Sequence, residues 1–329
     1  MFRTNNYFYQ FLVSMLLLMF YSEASSAAPG RYNDWRSTVK SSGEVYISTG
    51  IATGKANELV YCQPSGCPVD YKLSQLIWEI KDVIMLEAGF STTADDVTFN
   101  FDGKLRVTEG TGVMDDYDWL YLNRDWSDWS HHEDTRVTEG MILDLSLDFR
   151  LYAVSQTNLA LVLGYKSETW GWESRGGSYI YSDTDNLGFR DQTGSFTPGR
   201  LSISYEQKFE TPYIGLKFNT SLENWRFHAR AIYSNMVDVS ATDYHHLRDL
   251  TFKNSYEDGE MTAYNATLAY QFGAGFGLMA RFDYQEYKEV RGGTDYSVTS
   301  TGANAGYCRN CAGTDNSTTT WSLGMLYEY

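Results

Sequence analysis

The segment Trp321-Ser322-Leu323-Gly324-Met325-Leu326-Tyr327-Glu328-Tyr329 decides the fold. Every odd position is large and apolar or aromatic, and the even positions, Leu326 apart, are small or polar. Successive side chains of a strand point to opposite faces, so this alternation writes a β-strand with one apolar face. A sheet that turns such a face to lipid must close on itself, because an open edge leaves backbone groups unsatisfied in hydrocarbon. The segment is therefore expected to pair with the first strand and close a barrel.

The rest of the chain agrees. Downstream of residue 30 no window approaches the ~20 apolar residues of a spanning helix. The 26 Tyr and 9 Trp, with only 5 Pro, suit the aromatic girdles of a membrane barrel. At the other end, Arg3 precedes an apolar run over 8–21 and the small residues Ala24-Ser25-Ser26-Ala27-Ala28. That layout predicts a secretory signal peptide over 1–27, with cleavage after Ala27 or Ala28, and a single mature domain over 28–329. A formal net charge of −16 argues against nucleic acid and for cationic partners.

Long alternating segments are separated by connectors of two kinds. Short polar turns fall near 92–96, 155–158, 221–224 and 273–277, and long polar loops near 54–72, 108–135, 174–198, 237–259 and 291–318. Short and long connectors alternate along the chain, as periplasmic turns and extracellular loops do in outer-membrane barrels. Four turns and five loops make nine connections, hence ten antiparallel strands. The expected strands are 42–54, 73–91, 97–108, 136–154, 159–173, 199–219, 225–236, 260–272, 278–290 and 319–329. The fold class is thus all-β, a ten-stranded antiparallel transmembrane barrel with long extracellular loops, in the outer membrane of a Gram-negative bacterium.

Two outer loops carry compact sets of reactive groups, Asp115-Asp116-Tyr117-Asp118-Trp119 and Asp243-Tyr244-His245-His246. On extended backbone Asp116 and Asp118 share a face, and so do Asp243 and His245. A carboxylate beside a histidine fixes its tautomer and favours its charged form. Two neighbouring carboxylates can hold a water and share a proton. Such a set can deprotonate water and send it at a carbonyl without a covalent intermediate. Solvated charges on an acidic loop, or divalent-cation ligands, are the other readings of the same spacing.

Several separated motifs, in order, resemble the omptin family of outer-membrane endopeptidases. Arg175-Gly176-Gly177-Ser178-Tyr179-Ile180-Tyr181-Ser182, Gly188-Phe189-Arg190-Asp191 and Gly194-Ser195-Phe196 resemble its third loop. Pro212-Tyr213-Ile214-Gly215-Leu216, Ser74-Gln75-Leu76 with Trp78, and Trp126-Ser127-Asp128 with Ser130 and Asp134-Thr135 extend the likeness over nearly the whole mature chain. The resemblance implies that Asp116 and Asp118 are the paired aspartates of the catalytic site and that Asp243 and His245 are its dyad. It implies an aspartic-type endopeptidase that cuts polypeptides, cationic ones above all, beside basic residues received by Glu58. It further implies a monomer facing the extracellular side, with no cofactor or metal, dependent on lipopolysaccharide for activity. A serine mechanism, with Ser130 served by His132 or His245, is the rival within the same pattern. A non-proteolytic adhesin on the same scaffold is the alternative function.

The chain also departs from the family. Ala241 stands where the basic-side-chain pocket has its second acid. On the lipopolysaccharide patch of the outer wall Tyr165 agrees. Lys208 replaces an arginine and loses its fork, Thr169 replaces another, and Ser167 replaces an acid. Cys62, Cys67, Cys308 and Cys311 have no counterpart; in an exported chain they are expected to form disulfides. Two local bridges, Cys62–Cys67 and Cys308–Cys311, or a cross-loop pairing that staples the mouth all satisfy the sequence.

Overall fold

The computed structural model describes residues 42–62, 66–68, 70–183 and 188–329. The expected signal peptide lies outside them. Fourteen strands form among the described residues: β1 Ser42–Tyr61, β2 Lys72–Ala94, β3 Val97–Arg106, β4 Met114–Asp118, β5 Asp128–His132, β6 Asp134–Val154, β7 Thr157–Arg175, β8 Ser178–Tyr181, β9 Gln192–Ser195, β10 Leu201–Leu222, β11 Trp225–His245, β12 Leu250–Gly273, β13 Phe276–Val298 and β14 Asn304–Glu328. Ten of them, in the order β1-β2-β3-β6-β7-β10-β11-β12-β13-β14, make an antiparallel ring that β14 closes against β1. The C-terminal segment does this with Trp321 opposite Ile51 and Leu323 opposite Thr49.

The faces follow the alternation. Trp321, Leu323 and Met325 point outward and are exposed, as are Ile47, Leu147 and Leu216 on neighbouring strands; together they make the lipid-facing belt. Thr320 and Ser322 point inward and are buried. The lumen is filled with paired charge. Arg281 donates to Asp102 at 2.8 Å and to Asp283 at 2.9 Å, and Lys104 donates to Asp283 at 2.7 Å. Glu87, fully buried, accepts from Ser322 at 2.7 Å. Burial of these charges is tolerable because each is hydrogen-bonded to an opposite or polar partner.

The short turns fall where expected. Asp95, Ser155, Glu223 and Ala274 each take a positive φ, between 48° and 55°, as two-residue hairpin links require. The long loops need correction. The strands expected to stop near 54, 236 and 290 run on to Tyr61, His245 and Val298, and those expected to start near 260 and 319 start at Leu250 and Asn304. Strands of 20 to 25 residues exceed the ~9–11 that cross a bilayer, so the barrel stands well clear of the bilayer. There, water wets the outer face as well, and the apolar-out signal disappears. The 108–135 and 174–198 loops are not irregular either. They contribute β4, β5, β8 and β9, a small sheet that continues outward from the upper end of β2.

Above the ionic lumen the interior turns apolar. Trp78 and Trp172 pack on Tyr205 with ring centroids 5.6 and 6.0 Å apart, and Phe209 stacks on Tyr287 at 4.0 Å. This aromatic layer supports the mouth.

Candidate active site

The mouth holds a cleft of about 730 Å³, with Glu58, Asp116, Asp118, Asp128, Asp243 and His245 in its walls. Two walls carry the sequence-predicted groups. On one, β4 pairs with β2 so that Asp116 lies opposite Leu76 and Asp118 opposite Ser74. Asp116 and Asp118 face the cleft, while Asp115 on the other face accepts from the Trp129 indole at 3.0 Å and meets His131 Nδ1 at 2.7 Å. Those two contacts lock β4 to β5 and hold the aspartate pair in place. Asp116 accepts from Ser74 Oγ at 3.2 Å. Burial, and then the charge of Asp118, pushes the Asp116 carboxyl well above the usual carboxylate range; burial raises Asp118 as well. Both shifts favour a proton shared by the pair over two facing charges.

On the other wall the last residues of β11 supply the dyad. His245 Nε2 lies 2.5 Å from Asp243 Oδ2. Asp243 is only 2% exposed, and its Oδ1 has no hydrogen-bond partner among the described residues. Burial pushes the Asp243 carboxyl up to about 8 and the imidazole down to about 3, the Arg248 guanidinium adding to the latter. Both partners are driven towards their neutral forms, with one proton between Nε2 and Oδ2. The other ring nitrogen, Nδ1, accepts from Arg248, and Phe252 sets its ring edge against the imidazole with centroids 5.3 Å apart.

Glu58, near the end of β1, is 5% exposed, and its Oε2 lacks a hydrogen-bond partner among the described residues. Burial and the charge of Asp243 hold its carboxyl well above the usual range. Ala241 is buried two residues below Asp243, so no second acid stands beside Glu58 at that position. Ser130 Oγ is 3.1 Å from His132 Nε2, and it is with this histidine that the structure pairs it. His132 stacks on Phe196, and burial lowers its pKa. Two residues of the site went unread in the sequence. Tyr181 lines the cleft, its phenol raised by burial and by Asp116. Arg248 lies three residues beyond His245, a helical-type offset that strand periodicity does not flag.

The cysteines form two local bridges, Cys62–Cys67 and Cys308–Cys311, and Cys308 and Cys311 line the cleft. The cross-loop staple is not formed. On the outer wall Lys208 and Tyr165 are both exposed and both already paired with carboxylates. Lys208 reaches Glu206 at 3.1 Å, and Tyr165 donates to Glu210 at 2.6 Å. Ser167 donates to the same Glu210 at 3.0 Å, and Thr169 lies opposite Lys208 across the strand pair.

A closed ten-stranded barrel that spans the outer membrane and carries a carboxylate-lined cleft at its raised mouth defines the class. The chain belongs to the Omptin family, whose model matches residues 40–329. It is similar to the plasminogen activator of Yersinia pestis, 30% identical over 87% of this chain and 89% of that one. It is similar also to protease 7 of Escherichia coli O157:H7, 27% identical over 86% and 89%. Among solved structures it resembles the outer membrane protease OmpT from Escherichia coli, with a TM-score of 0.82 and 26% identity over 89% of this chain and 98% of that chain.

Proposed function

We propose that the chain is an outer-membrane endopeptidase that hydrolyses polypeptides beside basic residues, using water rather than a protein nucleophile. The observation that carries the reading is the convergence of Asp116, Asp118, Asp243 and His245, from two separate strands, on one cleft. A water held between the aspartate pair and His245 gives a proton to Nδ1 once that nitrogen is uncovered. The hydroxide adds to the scissile carbonyl carbon. Asp243, hydrogen-bonded to Nε2, holds the ring so that Nδ1 faces the water. The proton held by the aspartate pair passes to the departing amine as the C–N bond breaks, and the imidazolium proton restores the pair. Glu58 receives the basic side chain. With Ala241 beside it, one carboxylate makes that contact. The protein works as a monomer with the cleft on the extracellular side, and without a metal or organic cofactor.

Lipopolysaccharide activation is part of the proposal, though in a changed form. The carboxylates of Glu206 and Glu210 already engage Lys208 and Tyr165, so lipid phosphates meet a wall of mixed charge, and the dependence is weaker than a basic patch would give.

Refolding the mature chain in detergent and assaying dibasic peptides, with and without lipopolysaccharide, tests the reading. Asp118→Ala and His245→Ala are each expected to lose about 10²–10⁴-fold in kcat. Activity that survives both substitutions sinks the mechanism. An unaltered chain that cleaves nothing under either condition supports the adhesin. The 3.1 Å Ser130–His132 contact favours the serine alternative enough to require its own arm. Ser130→Ala is expected to keep most activity, because a tetrahedral oxyanion formed at Ser130 would lie among Asp116, Asp118 and Asp128.

A further inference from the structure

Among the described residues that line the cleft, Arg248 is the one lysine or arginine, against five carboxyl groups. Its guanidinium donates to His245 Nδ1 and lies 3.3 Å from Nε2. The nitrogen that must take a proton from water is therefore occupied. Its charge also draws down the carboxyls of Glu58, Asp116, Asp118 and Asp243, which lie on both walls. Buried carboxylates facing one another repel, and a guanidinium among them offsets that repulsion.

The backbone beneath this side chain is fixed. Arg248 N donates to His245 O at 3.0 Å, closing the turn between β11 and β12. Asp249, with φ of 56°, accepts from Ser300 N at 2.9 Å through its side chain, and its carbonyl accepts from Thr299 N at 2.8 Å. The turn is thus pinned to the next hairpin, whereas the Arg248 side chain is exposed and held at its tip by the imidazole alone among the described residues. It can leave without disturbing the fold.

We propose that Arg248 is a tethered competitor for the substrate's basic side chain: it caps His245 and supplies the cation of the empty cleft, and it leaves when a cationic peptide brings a replacement charge. This rests on the endopeptidase reading. Exchange of one cation for another keeps the carboxylates compensated throughout. A neutral segment that pushed Arg248 aside would leave them uncompensated, which costs more. The residue thus makes opening of the cleft conditional on a basic segment.

Arg248→Ala and the unaltered chain are to be compared on a dibasic peptide. Removing the competitor is expected to lower KM by about tenfold, with the effect on KM rather than on kcat. Arg248→Lys, a cation without the planar fork, should fall between the two. Free guanidinium chloride at low millimolar concentration should inhibit Arg248→Ala competitively and the unaltered chain far less, a response that a merely structural role would not give. An unchanged KM overturns the proposal. So does a hundredfold fall in kcat at constant KM, which would make Arg248 a group that stabilises the transition state. Should the unaltered chain cleave nothing, the endopeptidase reading fails, and the contact is read directly instead. Carbethoxylation of His245 by diethyl pyrocarbonate, followed by mass spectrometry, should be several-fold faster in Arg248→Ala and slowed by guanidinium. Equal rates in the two proteins overturn the proposal.

Discussion

Replacing Ala241 by aspartate is expected to sharpen the preference for a basic side chain. Ala241 is 3% exposed and sits in register with Gln207 on β10 and Asn254 on β12, two residues below Asp243 on the same inward face. A carboxyl there would stand with Glu58, whose Oε2 has no partner among the described residues. A charge-assisted hydrogen bond to a desolvated guanidinium contributes about 1.5–3 kcal/mol. At about 1.4 kcal/mol per factor of ten, that is about ten- to hundredfold in kcat/KM. The lower end is expected, because a third acid beside Glu58 and Asp243 stays protonated in the empty cleft and must ionise as the cation enters. For the same reason the gain should be larger at pH 8 than at pH 6. The assay is the ratio of kcat/KM for two peptides that differ only in arginine against citrulline next to the cleaved bond. A ratio unchanged between the unaltered chain and Ala241→Asp would refute the placement of the basic side chain beside Glu58.

Further outcomes follow from the same geometry. Glu58→Gln should lower the arginine-to-citrulline ratio by about tenfold, since it removes the charge of the proposed partner and keeps its shape. Asp243→Asn should change the pH dependence of stability. The folded carboxyl stands at about 8 against 3.8 unfolded, so between those values the folded chain holds a proton that the unfolded chain has released. Stability is therefore lost as pH rises from about 4 to about 8. Thermal unfolding in detergent should show the variant gaining on the unaltered chain across that window; a constant difference counts against the buried carboxyl. Trp78→Ala removes a fully buried indole that packs on Trp172 and Tyr205 and should cost about 3–5 kcal/mol, read as a lower temperature of heat-modifiable gel migration. Alkylation without reductant should label none of the four cysteines, and peptide mapping should return Cys62–Cys67 and Cys308–Cys311; a peptide joining Cys62 to Cys308 would contradict the local bridges.

Where lipid touches one face only, the sequence was legible. The alternation from Trp321 to Met325, the four turns and the count of ten all come from a sheet that is apolar outside and polar within. Above the bilayer the rule fails for a physical reason. Asp243 and Asn254 point inward and are buried, while Ser240, Thr242, Thr251 and Lys253 lie on the alternate positions of the same strands. With polar residues on both faces nothing alternates, so 237–259 looks like a loop although only the turn at 246–249 lies outside β11 and β12. Within that stretch the two-residue spacing still carried information. Asp116 with Asp118, and Asp243 with His245, share faces because each pair lies on a strand. Arg248 escaped because its link to His245 is a turn, where spacing in sequence does not tell direction in space.

The site combines rigid walls with electrostatic strain. Glu58, Asp116, Asp118 and Asp243 are carboxyls held above their usual range by burial, and each such group favours a looser mouth in which it could ionise freely. The mouth stays closed because three independent ties oppose that loosening. β4 is held between β2 and β5 and pinned by Asp115 to Trp129 and His131. β11 is flanked along its upper length by β10 and β12. Beneath both, the Trp78–Trp172–Tyr205 stack fills the barrel, so the walls cannot collapse inward. A loop-borne site would relieve the repulsion by moving; one built on paired strands cannot. The strain is eased instead by a cation in the cleft, Arg248 when it is empty and, on the proposed function, a basic side chain of the substrate when it is filled.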